Sequence, residues 1–354
     1  MKKFKFQDST FAYLGSKKRQ SSTLATFINP EKHNTLVSAF SGGCSFEVYA
    51  KHKLGMKIVS SDWSYISFIA QKALLGNNNV KITQADIIYL FKPNKNDGFV
   101  KKNYAKFFTD SVCDFLDTAT ENIRQLPEDS TKKYLLSHLI ISFITHILAY
   151  GKFGCVRDIK NIREKGMIEA LEIASTSESR VRKLVLSTQH PLPVLKKLSE
   201  RINAGIIDNN RDNPVYCEDA LSFLPKISHF GDEAVLFLDP PYFQSSSYQI
   251  YEPISEILLG KKIETQPSVF NGKDVEEWFD KLFSLSQPFS LWLITYGGKI
   301  DDPNAIHSDK FLEMVRKHRP NAKLLKLENF TWSINSLSGQ SPKQCEEYII
   351  IAEQ

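Results

Sequence analysis

Long apolar runs are missing from this sequence. No stretch approaches the roughly 18 residues of a membrane helix, and the lysine-rich start (Met1-Lys2-Lys3-Phe4-Lys5) leads into no signal-peptide core. Cysteine is sparse: five in 354 residues, at positions 44, 113, 155, 217 and 345. None forms a Cys-x-x-Cys pair, which argues against a zinc ribbon or a disulfide framework and suits a reducing compartment. His146, His190 and His229 show no metal-ligand spacing and read as core or surface residues. Internal repeats and low-complexity tracts are absent too, so solenoid and fibrous classes drop out. What remains is a cytoplasmic protein with no membrane partner. With 42% hydrophobic and 24% charged residues the chain is ordinary globular material, and its length suits one large α/β domain with an insertion, or two domains. A net charge of +5 permits a polyanionic partner without requiring one.

The stretch most loaded with chemistry is Ala234-Val235-Leu236-Phe237-Leu238-Asp239-Pro240-Pro241-Tyr242. Five apolar residues predict a strand buried on both faces. A proline disfavours the helical region for the residue before it, so Asp239 stays extended, and consecutive prolines stiffen the turn that follows. One carboxylate, the carbonyl of Pro240 and one ring are thereby held at the C-terminal edge of a sheet, where open α/β sheets bind ligands. The two acceptors suit an exocyclic amino group with two N–H donors, and Tyr242 suits the face of its heterocycle. A strand that merely ends in a Pro-Pro turn is the plain alternative.

An Asp-Pro-Pro-Tyr segment closing an apolar strand resembles the catalytic motif of amino-group DNA methyltransferases, which use S-adenosylmethionine. The rest of the chain resembles the Dam-like adenine-specific members in the order of its motifs. Near the start, Tyr13-Leu14-Gly15-Ser16-Lys17 reads as a tight turn with free amides leading into a helix through Leu24, Phe27 and Ile28. The family carries a near-identical segment that holds the methionine end of the cofactor, which implies that role for Tyr13, Gly15, Ser16 and Lys17. Next, Thr35 to Ser38 reads as a short strand running through Phe40 into Gly42-Gly43-Cys44-Ser45 and a helix. This is similar to the family's cofactor loop but departs from it, because the glycines are adjacent and Cys44-Ser45 follow. Asp62 ends a second strand about twenty residues on, where nucleotide-binding sheets hydrogen-bond a ribose hydroxyl. Trp63 could pack on adenine, and Asp62 could equally cap the helix through Ile66, Ile69, Ala70 and Ala73. Asp219, ending a strand that begins at Val215, matches the family element that accepts from the adenine amino group.

Between about Phe91 and Ala204 the apolar spacing turns helical, strongest from Tyr134 to Tyr150. The expected division is therefore a cofactor-binding half at 1–90, an inserted target-recognition domain at 91–204 and a half carrying Asp-Pro-Pro-Tyr at 205–354. Tyr150 to Arg157 resembles the family's glycine-and-aromatic DNA-reading segment, with Lys152 and Arg157 as contacts, and Lys196 and Lys197 as phosphate neighbours. Because acidic residues are interleaved, a solvated helical face would look similar. Further on, a helix through Val275 and Phe283 and strands at Leu291–Tyr296 and Glu347–Ile351 complete the sheet.

The expected fold is thus α/β, a Rossmann-like methyltransferase sheet with a mainly helical inserted DNA-recognition domain. The resemblance implies methyl transfer from S-adenosylmethionine to a flipped adenine in double-stranded DNA. A cytosine-amino or RNA enzyme, or a DNA-binding protein that has lost the cofactor, is the alternative at this point. Whether a cognate restriction endonuclease accompanies the chain stays open.

Overall fold

Among the described residues seven strands pair into one sheet: β1 (Thr35–Ser38), β2 (Lys57–Ser61), β3 (Val215–Tyr216), β4 (Ala234–Leu238), β5 (Leu291–Lys299), β6 (Lys323–Lys326) and β7 (Cys345–Glu353). The computed structural model describes residues 4–13, 15–148, 190–242, 251–264, 268–272, 274–299, 306–327 and 345–354. The strand order is β3-β2-β1-β4-β5-β7-β6. Strands β1 to β5 pair in parallel, and β7 runs antiparallel to β5 and β6. The order reverses between β1 and β4, so the crevice that a doubly wound sheet offers to ligands lies beyond the carboxyl ends of these two strands. This is a mixed α/β chain with a seven-stranded, mostly parallel sheet, consistent with the methyltransferase sheet expected.

Both faces of β4 are covered, which explains its unbroken apolar run. Leu236 and Leu238 point into a core built with the helices Ala220–Ile227, Val275–Ser286 and Ser308–Arg316. On the other face the ring of Phe237 packs edge-on against Phe46, 4.8 Å between centroids. The first core is stapled by aromatics: Tyr296 stacks on Phe311 at 4.3 Å, and Phe279 meets both edge-on. The strand expected to end at Asp219 is shorter, Val215–Tyr216. Asp219 accepts hydrogen bonds from the amides of Leu221 and Ser222, which starts a helix at Ala220 instead.

Contacts divide the chain into two units. The sheet unit comprises residues 17–71, 209–247 and 266–354. The other comprises 1–16, 72–208 and 248–265, and the regular structure described in it is helical. This is wider than the insertion expected at 91–204, for two packing reasons. The N-terminal turn Phe6–Ser9 packs on the helix Pro191–Asn203, and the backbone carbonyl of Ser9 bonds the ring of buried His138 at 2.9 Å. The helix Glu252–Leu259 packs on Asp110–Arg124, where Arg124 donates to the carbonyl of Leu258. Apolar spacing does predict the long helix here, observed as Thr131–Ile147. Side-chain clamps fix the shorter pieces. Asp117 accepts from the amides of Val100 and Lys101, and Asn203 exchanges two bonds with the backbone of Ile82. Among the described residues no helix is long and apolar enough to cross a membrane.

Leu236 is fully buried in the middle of the central strand. Leu236→Ala should lower unfolding free energy by about 2–5 kcal/mol, read from urea denaturation of the sheet unit's tryptophan signal; a loss under 1 kcal/mol would mean the site collapses around the cavity.

Candidate active site

The strand β4 delivers Asp239 to the carboxyl edge of the sheet, and register does the rest. Leu238 lies opposite Ile294, so the next residue pair is Asp239 and Thr295, whose hydroxyl donates to Asp239 Oδ1 at 2.8 Å. The same oxygen is ion-paired at 2.8 Å with Lys17 Nζ. Lys17 opens the 3-10 turn Lys17–Arg19, just after Gly15 at φ +79°, and only 4% of its side chain is exposed. Its ammonium also lies 3.6 Å from Glu347 Oε1 and donates to Tyr242 Oη at 3.2 Å. Tyr242 in turn donates to Glu347 at 3.1 Å, and Gln20 donates to the same carboxylate oxygen at 2.7 Å. One buried cation is thus shared by two carboxylates. Burial works against the charge on Lys17, but Asp239 and Glu347 overcome it and raise its pKa. Burial raises the carboxyl of Asp239 above the usual range, opposed mainly by Lys17. Among the described residues Asp239 Oδ2 and the Pro240 carbonyl have no partner.

Tyr242 sits differently from an open stacking ring. It is buried against Tyr296, with 5.1 Å between centroids.

A second cluster lies at the ends of β1 and β2. Gly42 adopts φ +49°, which glycine tolerates, and Cys44 adopts the same φ, which a residue with a Cβ rarely does. Cys44 is held there by its amide bond to the Ser41 carbonyl at 2.7 Å and by complete burial, which pushes its thiol well up. Asp62 clamps the loop: its two oxygens accept from the amides of Gly42 and Ser64, each at 2.8 Å. Burial raises its pKa to about 6 despite those bonds. Trp63 beside it is 49% exposed, an open indole face at the sheet edge. Phe40 packs edge-on against Phe270, and Ser45 is buried in the first turn of the helix Ser45–Tyr49. Asp219 is exposed and caps its own helix, and Ser222 Oγ also donates to it at 2.5 Å.

In the helical unit, Tyr13 stacks on Tyr251 with 5.0 Å between centroids, and Ser16 is exposed with its amide bonded to the Tyr13 carbonyl. Lys196 and Lys197 stand exposed on the outer face of Pro191–Asn203. Lys152 and Arg157 lie outside the described residues.

The sequence has known relatives. Residues 13–171 match the model of the D12 class N6 adenine-specific DNA methyltransferases. The chain is also 27% identical over 297 residues to the type II methyltransferase M2.HphI of Haemophilus parahaemolyticus, covering 82% of this chain and 84% of that one. The family matched is that of adenine-specific DNA methyltransferases. That similarity to the D12 class implies S-adenosylmethionine as the methyl donor and DNA as the substrate.

Sequence reasoning missed Thr295, Glu347 and Gln20 as partners of the site. Glu347 carried a faint signal, a carboxylate inside a strand that is otherwise apolar towards its end. Lys17, expected near the cofactor, has its ammonium ion-paired with Asp239.

Removing one member of a buried ion pair typically costs about 3–5 kcal/mol, because the other charge is stranded. Lys17→Met should therefore destabilise the protein strongly, and adding Asp239→Asn should restore part of the loss. Chemical denaturation of both variants checks this, and strictly additive losses would show that the pair is not coupled.

Proposed function

We propose that Asp239 and Pro240 accept the two amino protons of an adenine flipped out of double-stranded DNA at a specific site. The carrying observation is the division of labour on one carboxylate. Oδ1 is held by Lys17 and Thr295, while Oδ2 has no partner among the described residues. A carboxylate fixed through one oxygen presents the other at a defined angle, so an N–H donor meets an acceptor that needs no reorganisation. Two accepted protons hold the amine with its lone pair out of ring conjugation, which makes its nitrogen nucleophilic. Pro241 stiffens the turn that carries this acceptor pair. Tyr242 is proposed as the stacking ring through the 8% of its surface left uncovered. Its hydroxyl anchors the Pro-Pro turn to Lys17 and Glu347.

S-adenosylmethionine supplies an electrophilic methyl carbon on a cationic sulfonium. The residues present fit such a group: Asp62 and Glu47 are buried carboxyls in the sheet unit, and Asp239 and Asp62 both disfavour the charge on Glu47. An acidic edge suits a cation. We assign the donor to Tyr13, Gly15, Ser16 and Lys17, to the loop Phe40, Gly42, Gly43, Cys44 and Ser45, and to Asp62, Trp63 and Asp219. Within that set, Lys17 acts through Asp239 and not as an anion site. Asp62 shapes the loop through Gly42 and retains lone pairs for a ribose hydroxyl, while the indole of Trp63 offers an adenine-sized face. Asp219 is already occupied by its helix cap, so it would have to accept a further donor.

The helical insertion at 91–204 is proposed as the target-recognition part, with Lys152 and Arg157 as readers and Lys196 and Lys197 on phosphates. Exposure of the last two on one helix supports this. The relative's description as a type II methyltransferase supports a restriction endonuclease as partner.

Asp239→Ala should abolish methyl transfer, scored as N6-methyladenine by mass spectrometry of digested DNA, with S-adenosylmethionine affinity nearly unchanged. Wild-type turnover in that variant would remove Asp239 from the chemistry. Lys196→Ala with Lys197→Ala should weaken cognate and scrambled duplexes alike and reduce the slope of log K against log salt by about one per contact. An unchanged slope would take this helix out of the DNA interface.

A further inference from the structure

Glu47 is a carboxyl to which the proposed chemistry assigns no contact or proton of its own. It lies in the first turn of the helix after the glycine loop and is 1% exposed. Ser38, the last residue of β1, donates to its Oε1 at 2.6 Å, and Ser41 Oγ donates to Ser38 Oγ at 3.1 Å. Ser38 therefore ties Glu47 to the carboxyl end of β1, beside the point where the strand order reverses.

We propose that Glu47 determines specificity for the charged methyl donor over its neutral demethylated product, by releasing a proton to solvent when the sulfonium cation arrives. The argument rests on the cofactor assignment above. A carboxyl with its proton is neutral and costs little to bury, whereas a carboxylate there needs a compensating positive charge. The charged groups with the largest effect on Glu47 are carboxylates. On its own helix and the turn after it are the Cys44 thiol and Lys51, which is buried. From β2 comes Asp62 and from β4 Asp239, and both carboxylates disfavour ionisation of Glu47. The Lys17–Arg19 turn, which packs on this helix, brings Lys17, already shared by Asp239 and Glu347. The helix Ser21–Ala25 brings only hydroxyl and apolar side chains. Burial is the largest cause holding the Glu47 carboxyl up at about 7, with the Ser38 bond opposing it. A fixed cation entering this acidic edge shifts that balance toward the carboxylate. The thioether product carries no such charge and leaves the proton in place. Product release is thereby favoured without any change of contacts.

The test is calorimetric titration of the full-length protein with S-adenosylmethionine and with S-adenosylhomocysteine, at pH 7 in phosphate and in Tris. The two buffers differ in ionisation enthalpy, so their difference counts protons. The donor should release a substantial fraction of a proton and the product almost none. Each unit by which bound donor lowers the acid's pKa tightens binding about tenfold, so donor affinity should rise roughly three- to tenfold between pH 6 and 8 while product affinity stays flat. Glu47→Gln should erase both the proton release and the pH slope. Ser38→Ala keeps Glu47 but removes the bond that favours its ionised form, so the midpoint of the slope should move to higher pH; this arm also covers failure of the glutamine variant to fold. Equal proton release with both ligands, no release with the donor, or release that persists in Glu47→Gln would overturn the proposal. If neither ligand binds at any pH, the cofactor assignment itself fails.

Discussion

The site depends on a buried lysine shared between two carboxylates. Lys17 lies 2.8 Å from Asp239 and 3.6 Å from Glu347, with almost no solvent access. Isolated charges at that depth would be costly. Together they hold a carboxylate in one orientation at the carboxyl edge of β4, with one oxygen committed and the other open. The parallel register of β4 and β5 sets Thr295 beside Asp239, and the antiparallel return of β7 brings Glu347 back to the same edge. The sheet topology is therefore what assembles the network, from residues more than 300 positions apart in Gln20 and Glu347.

The same edge gathers more acid than it can neutralise within the sheet unit. Asp62 and Glu47 are both buried with pKa values raised to about 6 and about 7. A group whose folded pKa exceeds its unfolded value stabilises the fold below the unfolded pKa, and that contribution is lost as pH rises through the folded one. These two carboxyls thus become a burden between roughly pH 4 and 7. Under the proposed cofactor assignment, that burden is stability traded for a preformed electrostatic environment that suits a cation.

Much of this was legible in the sequence, and the reasons are particular. The run 234–238 is apolar on every position because β4 is covered on both faces, and the two prolines announce its end. The glycine pair at 42–43 and Asp62 stand out by their spacing. What stayed hidden depends on tertiary pairing. Nothing local to Lys17 says that its partner is Asp239, some 220 residues away in sequence and in a different strand's reach. Strand β6 has a polar pattern, exposed at the sheet edge, so periodicity passes over it. The wider extent of the helical unit follows from Ser9 meeting His138 and Arg124 meeting Leu258, contacts that no window of sequence contains. Asp62 is an intermediate case, since its helix-capping role was visible while its bond to Gly42 across the loop was not.

The most direct test of the Lys17–Asp239 arrangement is the pH dependence of single-turnover methyl transfer to an adenine-containing duplex at saturating donor. If Lys17 keeps Asp239 ionised against burial, then in Lys17→Met the ascending limb of the rate profile shifts to higher pH, and activity partly returns under alkaline conditions. A limb at the wild-type position in that variant would contradict the account, because Asp239 would then titrate without regard to the lysine beside it.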